Sequence, residues 1–116
     1  MNNYKKGHLA EKFAAIFLMF KGYRIIALNY ITGKATGAGE IDIIAAKKNT
    51  LIFVEIKLRK SISDAAYSIS QNQKNRITTA AKSFISHHKK YRNYDIRFDA
   101  ILIQNCFQFE HITNAF

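Results

Sequence analysis

The chain has 116 residues, enough for one domain with a real core and too few for two, and the expected domain spans residues 1–116. Its 48% hydrophobic and 13% aromatic content is globular rather than disordered, and its single cysteine, Cys106, excludes a disulfide framework and a cysteine-rich zinc site. Eighteen Lys+Arg against eight Asp+Glu give +10 at pH 7, which points to a polyanion partner more than to a membrane surface, because no segment joins a basic face to a strong apolar one.

Residues 4–21 are predicted to form a helix, with Leu9, Ala10, Phe13, Ala14, Phe17 and Leu18 at helical spacing and Gly22 placed to end it. The leading MNNYKKGHLAEKF lacks the apolar block of a signal peptide, and no run approaches the ~20 apolar residues of a membrane span, so the cytoplasm is the expected compartment. Residues 23–30 read as a strand and TGKATGAG as a glycine-rich loop set to lie beside nucleic acid; it lacks the order of a phosphate-binding P-loop. GEIDIIAA (39–46) and LIFVEIKL (51–58) read as a hairpin across KKNT. Ser70, with Gln73 three residues on, forms a capping box that opens a second helix to about residue 90, with Ile77, Ala80, Ala81, Phe84 and Ile85 as its buried stripe. Residues 96–103 and 107–112 close the chain as strands. The order is αβββαββ, an α/β domain with a mixed central sheet flanked by helices.

Four of the eight acids, Glu11, Glu40, Asp42 and Glu55, fall inside apolar-periodic segments. Side chains alternate along a strand, so Glu55, Lys57 and Phe53 share a face, and Glu40, Asp42 and Ile44 are expected to share one with Ile41 and Ile43 opposite. An even-length turn pairs Ala46 with Leu51, and counting back sets Asp42 against Glu55 and Glu40 against Lys57, with Cβ atoms ~4.5–5.5 Å apart. Two carboxylates so close repel unless a cation or shared proton intervenes, and oxygen ligands favour Mg2+ or Mn2+. With Lys57 beside them, these are the parts for hydrolysing a phosphodiester. The competing reading is a solvated cross-strand ion network; it conflicts with the apolar flanks of FVEIK and with like charges set opposite each other.

G-E-I-D followed by F-V-E-I-K resembles the D…(D/E)-x-K core of the PD-(D/E)XK nuclease superfamily. Nearly the whole chain is similar to the YraN-like family, small bacterial proteins regarded as endonucleases. The resemblance runs from Gly7 and Glu11 through GEIDIIA, FVEIKLR, Lys74–Arg76 and Arg97-Phe98-Asp99 to Asn114-Ala115-Phe116. Archaeal Holliday-junction resolvases share the helix glutamate, the aspartate and E-x-K. The resemblance implies a restriction-endonuclease-like fold and Asp42, Glu55 and the carbonyl of Ile56 as ligands of Mg2+ or Mn2+. It further implies that Lys57 positions or activates the attacking water, with Glu11 at the edge of the site. Ile41 stands where the superfamily has proline.

The expected function is therefore a metal-dependent endonuclease acting on structured or branched DNA, with Lys74, Arg76 and Arg59 on the nucleic acid and a homodimer to engage two strands. The alternatives are a non-catalytic nucleic-acid-binding module on the same fold, and an interaction protein whose charge is incidental. Arg97 and Asp99 read as a structural pair, His87 and His88 as helix-terminal residues away from any metal, and Cys106 as core. His8 and His111 show no partner pattern.

Overall fold

The computed structural model describes residues 3–33, 38–58, 69–104 and 108–116, with side chains from His8 onward. In chain order the elements are α1 (Asn3–Phe20), β1 (Arg24–Thr32), β2 (Gly39–Lys47), β3 (Thr50–Leu58), α2 (Gln71–His87), a 3-10 turn (Lys89–Tyr91), β4 (Asp95–Gln104) and β5 (Gln108–Ile112). This is the expected αβββαββ order, with the 3-10 turn as an addition. Among the described residues no helix is long and apolar enough to cross a membrane.

Both helices are delimited by their own residues. At the end of α1 the Gly22 amide donates to Met19 O and the Tyr23 amide to Leu18 O, each at 3.0 Å. Gly22 sits at φ +94, so this is a Schellman stop that a side chain would strain. At the start of α2 the Ser70 hydroxyl accepts from the Gln73 amide at 3.2 Å, and the Gln73 side chain accepts from the Ser70 amide at 3.3 Å. The box satisfies two amides that have no partner within the helix.

The five strands lie in the order β1-β2-β3-β4-β5, antiparallel except for the parallel β3–β4 pair that α2 bridges. β3 is central and buried on both faces. Ile52 and Val54 pack with Ile43, Ala45, Ile101 and the Ala10, Ala14, Ala15 and Leu18 stripe of α1. Leu51 and Phe53 pack on the other face with Ile44, Ala46 and the Ile77, Ala80, Ala81 and Phe84 stripe of α2. The small residues of α1 let that helix approach the sheet closely, and Phe53 and Phe84, fully buried, meet edge-on at 6.2 Å between ring centroids. Truncating such a buried aromatic costs ~3–5 kcal/mol.

The hairpin register is the expected one, with Ala46 opposite Leu51 and Lys47 opposite Thr50. The face assignment along β2 needs correction. Ile41 packs with Ile44 on the α2 side, whereas Ile43 packs on the α1 side, so alternation breaks at Asp42. The β1 residue facing that point, Asn29, sits between the Leu28–Ile43 and Tyr30–Ile41 pairs and has φ 56, a left-handed conformation that asparagine tolerates. Gly39, the first residue of the expected 39–46 strand, begins β2. A Cβ there would come 3.0 Å from the Ala80 amide nitrogen, so the glycine lets β2 start against α2. Residues 34–37 of the glycine-rich segment lie outside the described residues.

Candidate active site

The β2–β3 ladder ends at Ile43–Val54. Beyond it the Ile56 amide, which faces β2, donates to Asp42 Oδ2 at 2.8 Å. A carboxylate thus takes the place that a backbone carbonyl would hold in a continued ladder, and the break in alternation at Asp42 is what turns its side chain into this gap. Asp42, Glu55 and Ile56 line one open, polar cavity of about 230 Å³ with Glu40, Gln73, Arg76 and Ile77.

The cluster carries more negative charge than burial tolerates. Burial, then the charge of Glu55, pushes Asp42 up to about 7; the Ile56 amide opposes this, and Glu11 and Glu40 add to it. Glu55 is also raised, chiefly by burial, against the opposing charge and hydrogen bond of Lys57. Lys57 Nζ stands 3.3 Å from Glu55 Oε1, both side chains largely buried. Glu11, on α1, is raised by burial, with His8 opposing and Glu40 reinforcing the shift. Its Oε2 lies 3.7 Å from His8 Nδ1. Two elements of the sheet and the first helix therefore couple Glu11, Asp42, Glu55 and Lys57 electrostatically, although Glu11 and Lys57 are not among the residues that line the cavity.

Other expected partners differ. Glu40 does not meet Lys57 across the ladder. It pairs with Arg76 of α2 at 2.8 Å, because the ladder has ended and the capping box sets the first turns of α2 beside β2. In that helix Gln73 and Arg76 line the cavity and Lys74 does not. Arg59 and Cys106 lie outside the described residues. No sequence signal marks the Glu40–Arg76 contact, which joins residues 36 positions apart.

A second polar cluster holds β4 and β5 together. Asp99, fully buried, accepts from Arg97 Nε and Nη2 at 2.8 and 2.7 Å, and Arg97 Nη2 also reaches the Tyr23 hydroxyl at 2.7 Å. His111 Nε2 meets Asp99 Oδ2 at 2.8 Å, and the Asn114 amide donates to Oδ1 at 3.1 Å. Burial alone would raise the Asp99 carboxyl, yet these bonds outweigh it and hold the group below its usual range. The structural reading of Arg97 and Asp99 stands, and His111, which had no legible partner, belongs with them. His87 and His88 meet the Ser83 and Phe84 carbonyls at 2.7 and 2.8 Å, closing the last turn of α2.

Comparison with known proteins places the chain directly. Residues 10–103 match the model of a family described as uncharacterised protein family UPF0102. The chain belongs to the UPF0102 family. A UPF0102 protein of Bradyrhizobium diazoefficiens is 42% identical over 113 residues, covering 97% of this chain and 82% of the relative. One from Nitrobacter winogradskyi is 41% identical over 110 residues, covering 95% and 90%. One from Rhodopseudomonas palustris is 39% identical over 113 residues, covering 97% and 81%. The family match includes every residue that lines the carboxylate cavity, from Glu40 to Ile77, together with Glu11 and Lys57.

Proposed function

We propose that this UPF0102 protein is a metal-dependent endonuclease of the PD-(D/E)XK type that hydrolyses phosphodiester bonds in structured or branched DNA. One observation carries the reading: Asp42 and Glu55, both held above the usual carboxylate range, line one open cavity, and Lys57 Nζ stands 3.3 Å from Glu55.

The donors fit a hard divalent cation. Asp42 and Glu55 offer oxygen ligands where repulsion already calls for positive charge, and the Ile56 main chain adjoins them. Among the described residues no three His, Cys, Asp or Glu side chains form a metal-ligating group. Two carboxylates and a carbonyl are a sparse set, which suits Mg2+ or Mn2+ because such ions keep several waters. When bound, the ion supplies Lewis acidity toward phosphate and lowers the pKa of water.

The chain's own residues do the remaining work. The Ile56 amide fixes one oxygen of Asp42, so the carboxylate is oriented before any ligand arrives. Lys57, held by Glu55, presents a cation to the phosphate and can orient the attacking water. Glu11, at the margin, adds negative charge that favours cation uptake. Arg76, paired with Glu40 on the rim, is placed to exchange that partner for a phosphate. The reaction would take place in the cytoplasm, and cutting two strands would call for a homodimer.

A panel of four-way junction, flap, nicked, duplex and single-stranded DNA, with a matched RNA, incubated with Mg2+ or Mn2+ tests this reading. Metal-dependent cleavage that favours branched substrates is expected. Binding without cleavage of any member would reduce the protein to a nucleic-acid-binding module.

A further inference from the structure

Among the described residues, seven cations without a carboxylate partner gather at the end of the sheet away from the carboxylates. There the chain brings together Lys21 after α1, Arg24 opening β1, Lys47 and Lys48 at the β2–β3 turn, and Lys89, Lys90 and Arg92 between α2 and β4. Arg24 pairs with Ala46, the Lys47 ammonium donates to the Lys21 carbonyl at 2.7 Å, and the Asp95 amide donates to the Asn49 carbonyl at 2.8 Å. These contacts tie three separate stretches of sequence into one pole.

All seven cations are exposed. Among the described residues none of the seven forms an ion pair with a carboxylate, whereas Lys57 and Arg76 pair with Glu55 and Glu40. Asp95 is the only acid in residues 21–24, 47–50 and 87–95. Those segments contain no large exposed hydrophobe; Phe20 and Ile96 stand at their margins. The segments are thus rich in exposed positive charge and poor in acid, a composition suited to a polyanionic backbone.

We infer that this basic pole is a sequence-independent binding surface for duplex nucleic acid, separate from the carboxylate cavity. Lys47 lies five residue steps along β2 from Asp42, about 17 Å at ~3.4 Å per step. That is about half of the ~34 Å turn of a duplex, so one duplex lying along the molecule can touch both places. The pole supplies affinity through phosphates and leaves the cavity free for chemistry.

The test uses the full chain and a labelled 20-base-pair duplex of arbitrary sequence, without divalent metal, so that it does not depend on cleavage. Anisotropy is recorded from low to moderate salt for the wild type and for K48N/K89Q/K90Q/R92Q, with K48N/R92Q and K89Q/K90Q as milder pairs should the quadruple variant not fold. Asparagine suits position 48, where φ is 54. Each lost phosphate contact removes about 0.9 from the slope of log K against log salt. A slope shallower by up to about 3.6 for the quadruple variant is therefore expected, about half that for each pair, with affinity at least ~10-fold weaker at low salt. A folded variant with unchanged affinity and slope overturns the inference. So does pole-dependent binding confined to vesicles of anionic phospholipid, with the duplex unbound.

Discussion

The Ile56 amide donates to Asp42 Oδ2 at 2.8 Å just past Ile43–Val54, the last pair of the β2–β3 ladder. This bond fixes the aspartate of the cavity beyond the end of the β2–β3 ladder, and the chemistry assigned to it follows from that placement.

Asp42 sits above its ordinary value through burial and neighbouring charge, so between about 4 and about 7 the folded chain binds more protons than the unfolded one. Its contribution to stability therefore falls as pH rises through that window. Asp42→Asn keeps an acceptor for the Ile56 amide and removes the charge. It is expected to raise the melting temperature at pH 8 by several degrees, on the order of 1 kcal/mol, and to change it little at pH 4. An equal loss at both pH values would show that the bond to Ile56 outweighs the repulsion.

The same cluster ties metal binding to pH. Cations compete with protons for the carboxylates, so Mn2+ or Mg2+ should stabilise the chain more at pH 8 than at pH 5.5. At 100 times the dissociation constant the gain is ~2.7 kcal/mol. Thermal melts against metal concentration measure it, and Asp42→Asn or Glu55→Gln should abolish the gain. An increment that persists in both variants would place the ion elsewhere.

Lys57 is expected to act on rate more than on affinity. Lys57→Ala should lower cleavage by ~10²–10³-fold, in the range seen when one stabilising group is removed from a reaction centre. Duplex affinity should change less than a few-fold, and arginine should recover part of the rate. Single-turnover cleavage with saturating protein separates the two quantities.

Much of the fold is legible in the sequence because it rests on local rules. Ser70 with Gln73 marks the start of α2, Gly22 the end of α1, and the even turn at Lys48-Asn49 fixes the register that brings Asp42 toward Glu55. The break of alternation at Asp42 is not legible, since it depends on the left-handed Asn29 of a neighbouring strand. Nor are the Glu40–Arg76 pair, the His111–Asp99 contact or the basic pole, whose members meet only once the sheet is assembled. Lys57 and Glu55, two apart on one strand, needed only the pleat.

The buried Asp99 cluster is expected to serve stability and not the site. Asp99→Asn or Arg97→Met strands a partner in the interior and should cost ~3–5 kcal/mol, read by urea unfolding at neutral pH. Because Asp99 is held below its usual range, its stabilising contribution is present above about pH 4 and disappears as pH falls further. A variant that loses cleavage yet unfolds like the wild type would contradict this division of roles.

The central claim is that Asp42 and Glu55 form a metal-holding catalytic pair and not a structural one. Cleavage and binding of one four-way junction, measured in parallel for the wild type, Asp42→Asn and Glu55→Gln with Mn2+ present, test it most directly. Both variants are expected to lose cleavage by at least ~10³-fold while binding the junction as tightly as the wild type or more so, since each removes negative charge beside a phosphate. Folded variants that still cleave, or that lose binding in step with cleavage, would contradict it.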